Sequence, residues 1–284
     1  MTALLPRDAL ESTCLGISVS ESKDLVRLGL LESHFRLALG EITRCILIAG
    51  GQLAYGGHLQ PTGYTTFLIN ELERYRRRDR PLLVCLSFIE HRRMSLQELS
   101  EQTSRLGLYG KIVCLDADGT VMAPNQGRSE ESQPPDAAIR AQSLTSLRRF
   151  MIGKTHGRVF MGGKQSGFTG AMPGLLEEAI MAIEARQPIY LAGGFGGITA
   201  DIARALDVDR GDWFPTLPDA APMDQRVADG LTRLRAAADA TASASLNNGL
   251  DVAENRKLAA THRPSEIAAL LSVGLGRRFD GKAR

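Results

Sequence analysis

Three apolar runs in this 284-residue chain each break directly into a glycine-rich stretch, and that repetition narrows the possible folds more than any other feature. The runs are Cys45-Ile46-Leu47-Ile48 into Ala49-Gly50-Gly51 and on to Tyr55-Gly56-Gly57, Val159-Phe160-Met161 into Gly162-Gly163-Lys164, and Ile189-Tyr190-Leu191 into Gly193-Gly194-Phe195-Gly196-Gly197. A glycine at the carboxyl end of a strand lets the backbone turn tightly and brings its N–H groups against a ligand with no Cβ in the way. Read as strand ends, the three runs line up glycine loops along one edge of an open α/β sheet, the edge at which such folds bind ligands. Glycines can also serve only as tight strand-to-helix turns. Three loops with two carboxylates and a lysine among them point to binding.

The stretches between these runs alternate in period. Residues 14–20 read as a strand, 25–39 as a helix with Ser22 or Asp24 as cap, 45–49 as a second strand, and 65–78 as a helix. A strand over 81–88, a weaker helix over 95–106 and a strand over 111–115 follow. Residues 117–137, with Asp118-Gly119 and Pro134-Pro135, form the longest break in periodicity, as a lid, an insertion or a disordered segment does. Helix, strand, helix, strand and helix are then expected over 136–155, 159–161, 173–186, 189–191 and 199–206. This alternation predicts an α/β fold with a mainly parallel sheet flanked by helices. A binding domain over 1–206 is expected, followed by a helical C-terminal extension over 207–284. The extension holds a helix over 224–238, a flexible Ala/Ser/Asn/Gly-rich stretch over 240–249, and an apolar stripe through Ile267, Leu270 and Leu271.

Composition excludes several function classes. A hydrophobic share of 43% supports a full core, and 34 basic against 32 acidic residues leave +2, too little for nucleic-acid binding by net field. Aromatics are only 5% and do not interleave with a basic stripe, which disfavours single-stranded DNA binding. Arg74, Arg76, Arg77, Arg78 and Arg80 cluster at the end of a predicted helix, where cations suit the helix dipole. Cys14, Cys45, Cys85 and Cys114 each fall in an apolar run read as a strand, without metal-ligand spacing, and the histidines are scattered. No metal and no cofactor are expected. No charged leader precedes a long apolar stretch, and no window approaches the ~20 apolar residues of a membrane span. A soluble, cytoplasmic protein without a membrane partner is the expectation.

The chemistry-bearing residues concentrate in 162–178. Here a glycine-rich loop leads through Pro173 into Gly174-Leu175-Leu176-Glu177-Glu178. Proline is pre-set for a first helical turn, and the free N–H groups of a helix start suit a phosphate or a ribose oxygen. Glu177 and Glu178 point about 100° apart, so one of the two faces a ligand, and the spacing leaves open which. Lys164, directly after Gly162-Gly163, can neutralise a phosphate. Tyr55 and Phe195, each between glycines, can stack on a base or plug their loops. Ser20 and Ser22 can donate to a phosphate or cap the next helix. The Walker spacing and the Gly-x-Gly-x-x-Gly of hydride-transfer enzymes are both absent.

Arg149, Gly162-Gly163-Lys164, the Gly174-Leu175-Leu176-Glu177-Glu178 helix start and the Gly193–Gly197 loop together resemble the SLOG superfamily. That group is named for the DNA-uptake protein DprA/Smf and the lonely-guy cytokinin-activating enzymes, and it includes the nucleotide-sensing region of TRPM channels. Ile17–Ser22, Leu28-Gly29-Leu30 and Ala54–Gly57 are similar to prokaryotic SLOG domains of conflict systems. The resemblance, over about 15–206, implies a Rossmann-like fold that binds nucleotides or nucleotide-derived signals at its strand ends. It implies Arg149 as the upstream arginine of the lonely-guy motif and the Glu177-Glu178 pair as its glutamate end. Leu175 stands where those enzymes have threonine, and Gly170-Ala171-Met172 stands for their Pro-Gly-Gly. The lost hydroxyl and backbone clearance favour the sensor branch, implied to recognise ADP-ribose-like or cyclic signals in antiphage defence.

The expected function is therefore binding or sensing of a nucleotide-derived small molecule. The expected contacts are Gly50, Gly51, Tyr55, Gly56, Gly57, Arg149, Gly162, Gly163, Lys164, Gly174, Glu177, Glu178, Gly193, Gly194, Phe195, Gly196 and Gly197. A homo-oligomer or a separate effector chain would receive the signal. The alternative is a nucleoside 5′-monophosphate N-glycosidase with Glu177, Glu178 and Arg149 as catalytic residues.

Overall fold

The strand Cys14–Ser20 (β1) is buried on both faces, and the sheet is built outward from it. The computed structural model describes residues 5–60, 62–75, 79–127, 137–215, 222–241 and 246–279. Six further strands join β1: Gln52–Gly56 (β2), Leu82–Leu86 (β3), Gly110–Leu115 (β4), Val121–Met122 (β5), Gly157–Gly162 (β6) and Ile189–Ala192 (β7). Their order is β5-β4-β3-β2-β1-β6-β7. Every pairing is parallel except β4 with β5. The chain thus builds to one side of β1 and then crosses to the other, so the strand order reverses beside β1. That reversal opens a crevice at the carboxyl edge of such a sheet.

The helices are Asp24–Arg27 (α1), Glu32–Ile48 (α2), Tyr64–Tyr75 (α3), Phe88–Arg92 (α4), Leu96–Leu106 (α5), Ala137–Ile152 (α6), Gly174–Glu184 (α7), Gly197–Ala205 (α8), Gln225–Ala240 (α9), Val252–Ala260 (α10) and Pro264–Phe279 (α11). On one face of the sheet, Leu15, Ile17 and Val19 pack with Phe35, Ile42 and Ile46 of α2, Leu68 of α3 and Leu271 of α11. On the other face, Cys14, Ala54 and Cys85 meet Leu147 and Met151 of α6, while Phe160 and Leu191 meet α7, α8 and α9. Strands covered on both faces read as unbroken apolar runs rather than alternating ones, as β1 does.

One of the three expected strand ends is not a strand. Cys45-Ile46-Leu47-Ile48 is the last turn of α2, because Phe35, Leu39, Ile42 and Ile46 recur at helical spacing and bury one face against the sheet. Gly50 and Gly51 then turn the chain from α2 into β2. Gly50 takes φ +84°, and a Cβ there would lie 2.9 Å from the Arg7 carbonyl. Cys45 is accordingly helical, whereas Cys14, Cys85 and Cys114 lie in strands. The helix expected over 25–39 is divided at Leu28-Gly29, with α1 before the break and α2 after it.

The break in periodicity over 117–137 contains β5, and its residues 128–136 lie outside the described residues, as do Arg76, Arg77 and Arg78 of the basic cluster. Arg74 pairs with Glu71 in the last turn of α3 at 2.6 Å. Residues past 206 share the core: α11 packs on α2, α9 on α7 and α8, and α10 on β7. Of the stretch over 240–249 read as flexible, 242–245 lie outside the described residues. No helix among the described residues is long and apolar enough to cross a membrane.

Candidate functional site

A cleft of about 280 Å³ lies at the carboxyl ends of β1 and β2, at the reversal of strand order. Ser18 and Ser20 of β1, Tyr55 and Gly57 at the end of β2, Arg148 of α6, Lys164 and the start of α7 line it. Two glycines set the turn that leads there. Gly162 and Gly163 have φ of +69° and +101°, and the Gly163 N–H donates to the Ser20 carbonyl at 3.0 Å. The turn fastens the end of β6 to the end of β1, and the loop beyond it carries Lys164 over the cleft.

The amino end of α7 is open. Its N-cap is Pro173, which offers no side-chain acceptor, so the first N–H groups have no side-chain cap. The Arg148 guanidinium lies beside this end, close enough that a Cβ at Gly174 would sit 2.7 Å from Nη2. A guanidinium at the positive end of a helix dipole makes a site that favours an anion. Arg148 is steadied by an ion pair to Glu177, with its Nε 4.0 Å from Glu178 Oε1. Lys164 reaches the rim of the cleft and pairs at 3.5 Å with the exposed Glu21.

The two adjacent glutamates do different things. Glu177 turns back to α6, where it accepts from Thr145 Oγ1 at 2.6 Å and pairs with Arg148. Glu178 lines the cleft. Its Oε2 accepts from Ser18 Oγ at 2.5 Å and from Arg158 Nη1 at 2.6 Å, and Arg158 also donates to Ser18 Oγ at 2.8 Å. Oε1 of Glu178 takes no part in these bonds and lies 4.0 Å from Arg148 Nε. On the β2 side, burial pushes the pKa of the Tyr55 hydroxyl up, and the nearby carboxylates of Glu178 and Glu90 add to the shift. Tyr55 therefore stays protonated at neutral pH, able to donate.

Of the residues expected from sequence, the cleft gathers Tyr55, Gly56, Gly57, Lys164, Gly174 and Glu178. Gly162 and Gly163 shape the turn behind it. Gly50 and Gly51 sit at the amino end of β2, away from the cleft, because the run before them is helical. Arg149 is exposed, and its neighbour Arg148 faces the carboxylates. Phe195 is fully buried, edge-on to Phe35 at 5.3 Å, so it fills core and is not free to stack on a base. Gly193 and Gly194 lie under the carbonyls of Ala259 and Thr261, beneath the junction of α10 and α11. Gly196 and Gly197 receive Asp24, whose Oδ2 accepts from the Gly197 N–H at 2.7 Å and so occupies the amino end of α8. Sequence reasoning passed over Ser18, Arg148 as the facing arginine, and Arg158. An arginine inside the apolar run Val159-Phe160-Met161 and its approach was the available signal for the last.

Among the described residues, no three His, Cys, Asp or Glu side chains are grouped so as to hold a metal ion. The family model described as SLOG cluster2 matches residues 9–258. No curated protein and no solved structure gave a significant match.

Proposed function

The chain belongs to the SLOG family, and on that premise we propose that the cleft binds a small nucleotide-derived ligand. The observation that carries this reading is the convergence, in one cleft, of the uncapped start of α7, the Arg148 guanidinium and the Glu178 carboxylate. The phosphate would sit at the start of α7, between Arg148 and Lys164. The ribose hydroxyls would bond Glu178 Oε1, since a carboxylate can accept from two vicinal hydroxyls. The base would lie toward Tyr55, His58 and Tyr64 on the β2 side.

Two observations favour a mononucleotide over a dinucleotide. At about 280 Å³ the cleft is near the lower end of the ~300–1,000 Å³ usual for small-molecule sites. The amino end of α8, which could hold a second phosphate, is occupied by Asp24. ADP-ribose-like and cyclic signals remain in the panel of ligands to test, because the antiphage sensor branch is implied to use them. A sensor of that kind passes its signal through a second copy or a separate effector chain.

A second reading is favoured by Glu178 Oε1, which takes no hydrogen bond from Ser18 or Arg158 and lies 4.0 Å from Arg148 Nε. In a nucleoside 5′-monophosphate N-glycosidase, Glu178 would stabilise an oxocarbenium-like ribose while water replaces the base, and Arg148 would hold the phosphate. The test is thermal stability with AMP, ATP, ADP-ribose, cyclic ADP-ribose isomers and NAD, with chromatography of the ligand afterwards. Ligand at 100 times its dissociation constant adds about 2.7 kcal/mol. A raised melting temperature with intact AMP supports binding, and free adenine supports the glycosidase. No shift with any of the five ligands contradicts both readings.

A further inference from the structure

Arg158 is a fully buried cation in β6, between β1 and the edge strand β7. It is the second residue of β6, registered with Gly16 of β1 on one side and Ile189 of β7 on the other. Gly16 makes the room for it: a Cβ there would lie 2.9 Å from Arg158 Cζ. The guanidinium therefore lies across β1 and reaches the floor of the cleft. Its two hydrogen bonds, both from Nη1, go to Ser18 and Glu178, and both of those residues line the cleft. Nε and Nη2 are buried with no partner among the described residues.

An arginine here is a poor choice for stability. Burying a guanidinium is costly, the cost is offset only when its donors are met, and well-packed apolar residues in place of a whole buried ion pair often do at least as well. Local rules are broken in this way chiefly at functional sites. The partners of Arg158 indicate the use. It and Ser18 both hold the same oxygen, Oε2 of Glu178, which leaves Oε1 to Arg148 of the cleft lining.

We infer that Arg158 is a positioning residue: it sets the orientation in which Glu178 meets a ligand, without touching that ligand itself. The inference rests on the proposed reading of the cleft only for its binding readout.

The experiment compares Arg158→Met and Arg158→Lys with the wild-type chain by three measurements: melting temperature, the side-chain carboxylate ¹³C signal of Glu178 in glutamate-labelled protein, and AMP affinity by calorimetry. Arg158→Met is expected to melt below wild type, because Glu178 loses its buried partner, to displace the Glu178 signal, and to weaken AMP binding tenfold or more. Arg158→Lys is expected to recover most of both losses. A merely structural role would leave the affinity in place once the variant is folded, and a folded Arg158→Met with an unmoved Glu178 signal overturns the inference as well. An AMP affinity within threefold of a wild type that binds AMP overturns it too. If wild type binds no AMP, the nucleotide reading fails while the Glu178 signal still decides for or against Arg158. Should Arg158→Met not fold, Arg158→Gln carries the same comparison, with the same outcomes on each side.

Discussion

Arg148 and Arg149 are one step apart on α6, about 100° in direction, and that step separates a cleft residue from an exposed one. The phase of the helix is set by Ser143, Leu147 and Met151, which face the sheet. The sequence leaves that phase weakly marked, because polar and apolar residues are mixed around α6, and the resemblance alone pointed to Arg149, which the structure leaves exposed. The same step separates the glutamates: Glu178 lines the cleft and Glu177 braces Arg148. Arg148→Ala is expected to weaken AMP binding ten- to a hundredfold, the loss of a charge-assisted bond of ~1.5–3 kcal/mol, while Arg149→Ala stays within twofold in the same calorimetric titration. Buried thiols give a second prediction at this scale. Burial pushes the Cys14 pKa from 9.0 to about 11 and that of Cys85 from 9.0 to about 12. Above pH 9 the unfolded chain loses these protons and the folded chain keeps them, so stability falls as pH rises through that window. For each thiol this loss reaches roughly 3–4 kcal/mol at full extent. Melting temperature should therefore drop steeply between pH 9 and 11, and Cys14→Ala should flatten the drop; an equal drop in both contradicts the assignment.

Among the elements, α7 carries the site and α2 misled the sequence reading. Cys45-Ile46-Leu47-Ile48 has the composition of a buried strand, and a short apolar run cannot be told from a helix end by its own period. The stripe from Phe35 through Ile46 was the deciding signal, and it begins ten residues earlier. The start of α7 was legible, since Pro173 and the paired glutamates mark a helix amino end. Gly174 offers a test of that end alone. Its backbone needs no positive φ, and an added methyl would press on the tip of Arg148, a movable group. Gly174→Ala is expected to melt within a few degrees of wild type and to bind AMP at least fivefold more weakly. Gly50→Ala should show the opposite pattern, a lower melting temperature with AMP affinity kept, because it meets the Arg7 backbone far from the cleft.

For the molecule as a whole, the alternation of strand and helix made the α/β class and the parallel sheet readable, but not what the C-terminal helices cover. The stripe through Ile267 and Leu271 is visible in the sequence, yet its partner α2 lies more than 200 residues away and no local pattern joins them. Leu258, Ile267, Leu271, Leu275 and Phe279 are all buried in the core shared with β1 and α2. At ~1.5–3 kcal/mol for each buried side chain, their loss approaches or exceeds a net stability of 5–15 kcal/mol. A chain ending at residue 206 is therefore expected to show no cooperative thermal transition by circular dichroism, and a sharp transition would contradict this packing. A nucleotide-derived ligand at the open start of α7 would be seen first by amide ¹H–¹⁵N mapping during an AMP titration: shifts are expected at Leu175, Leu176, Lys164 and Gly57, with Gly50 and Gly51 unmoved. Saturable shifts confined to residues outside the cleft, or none at the start of α7, would contradict it.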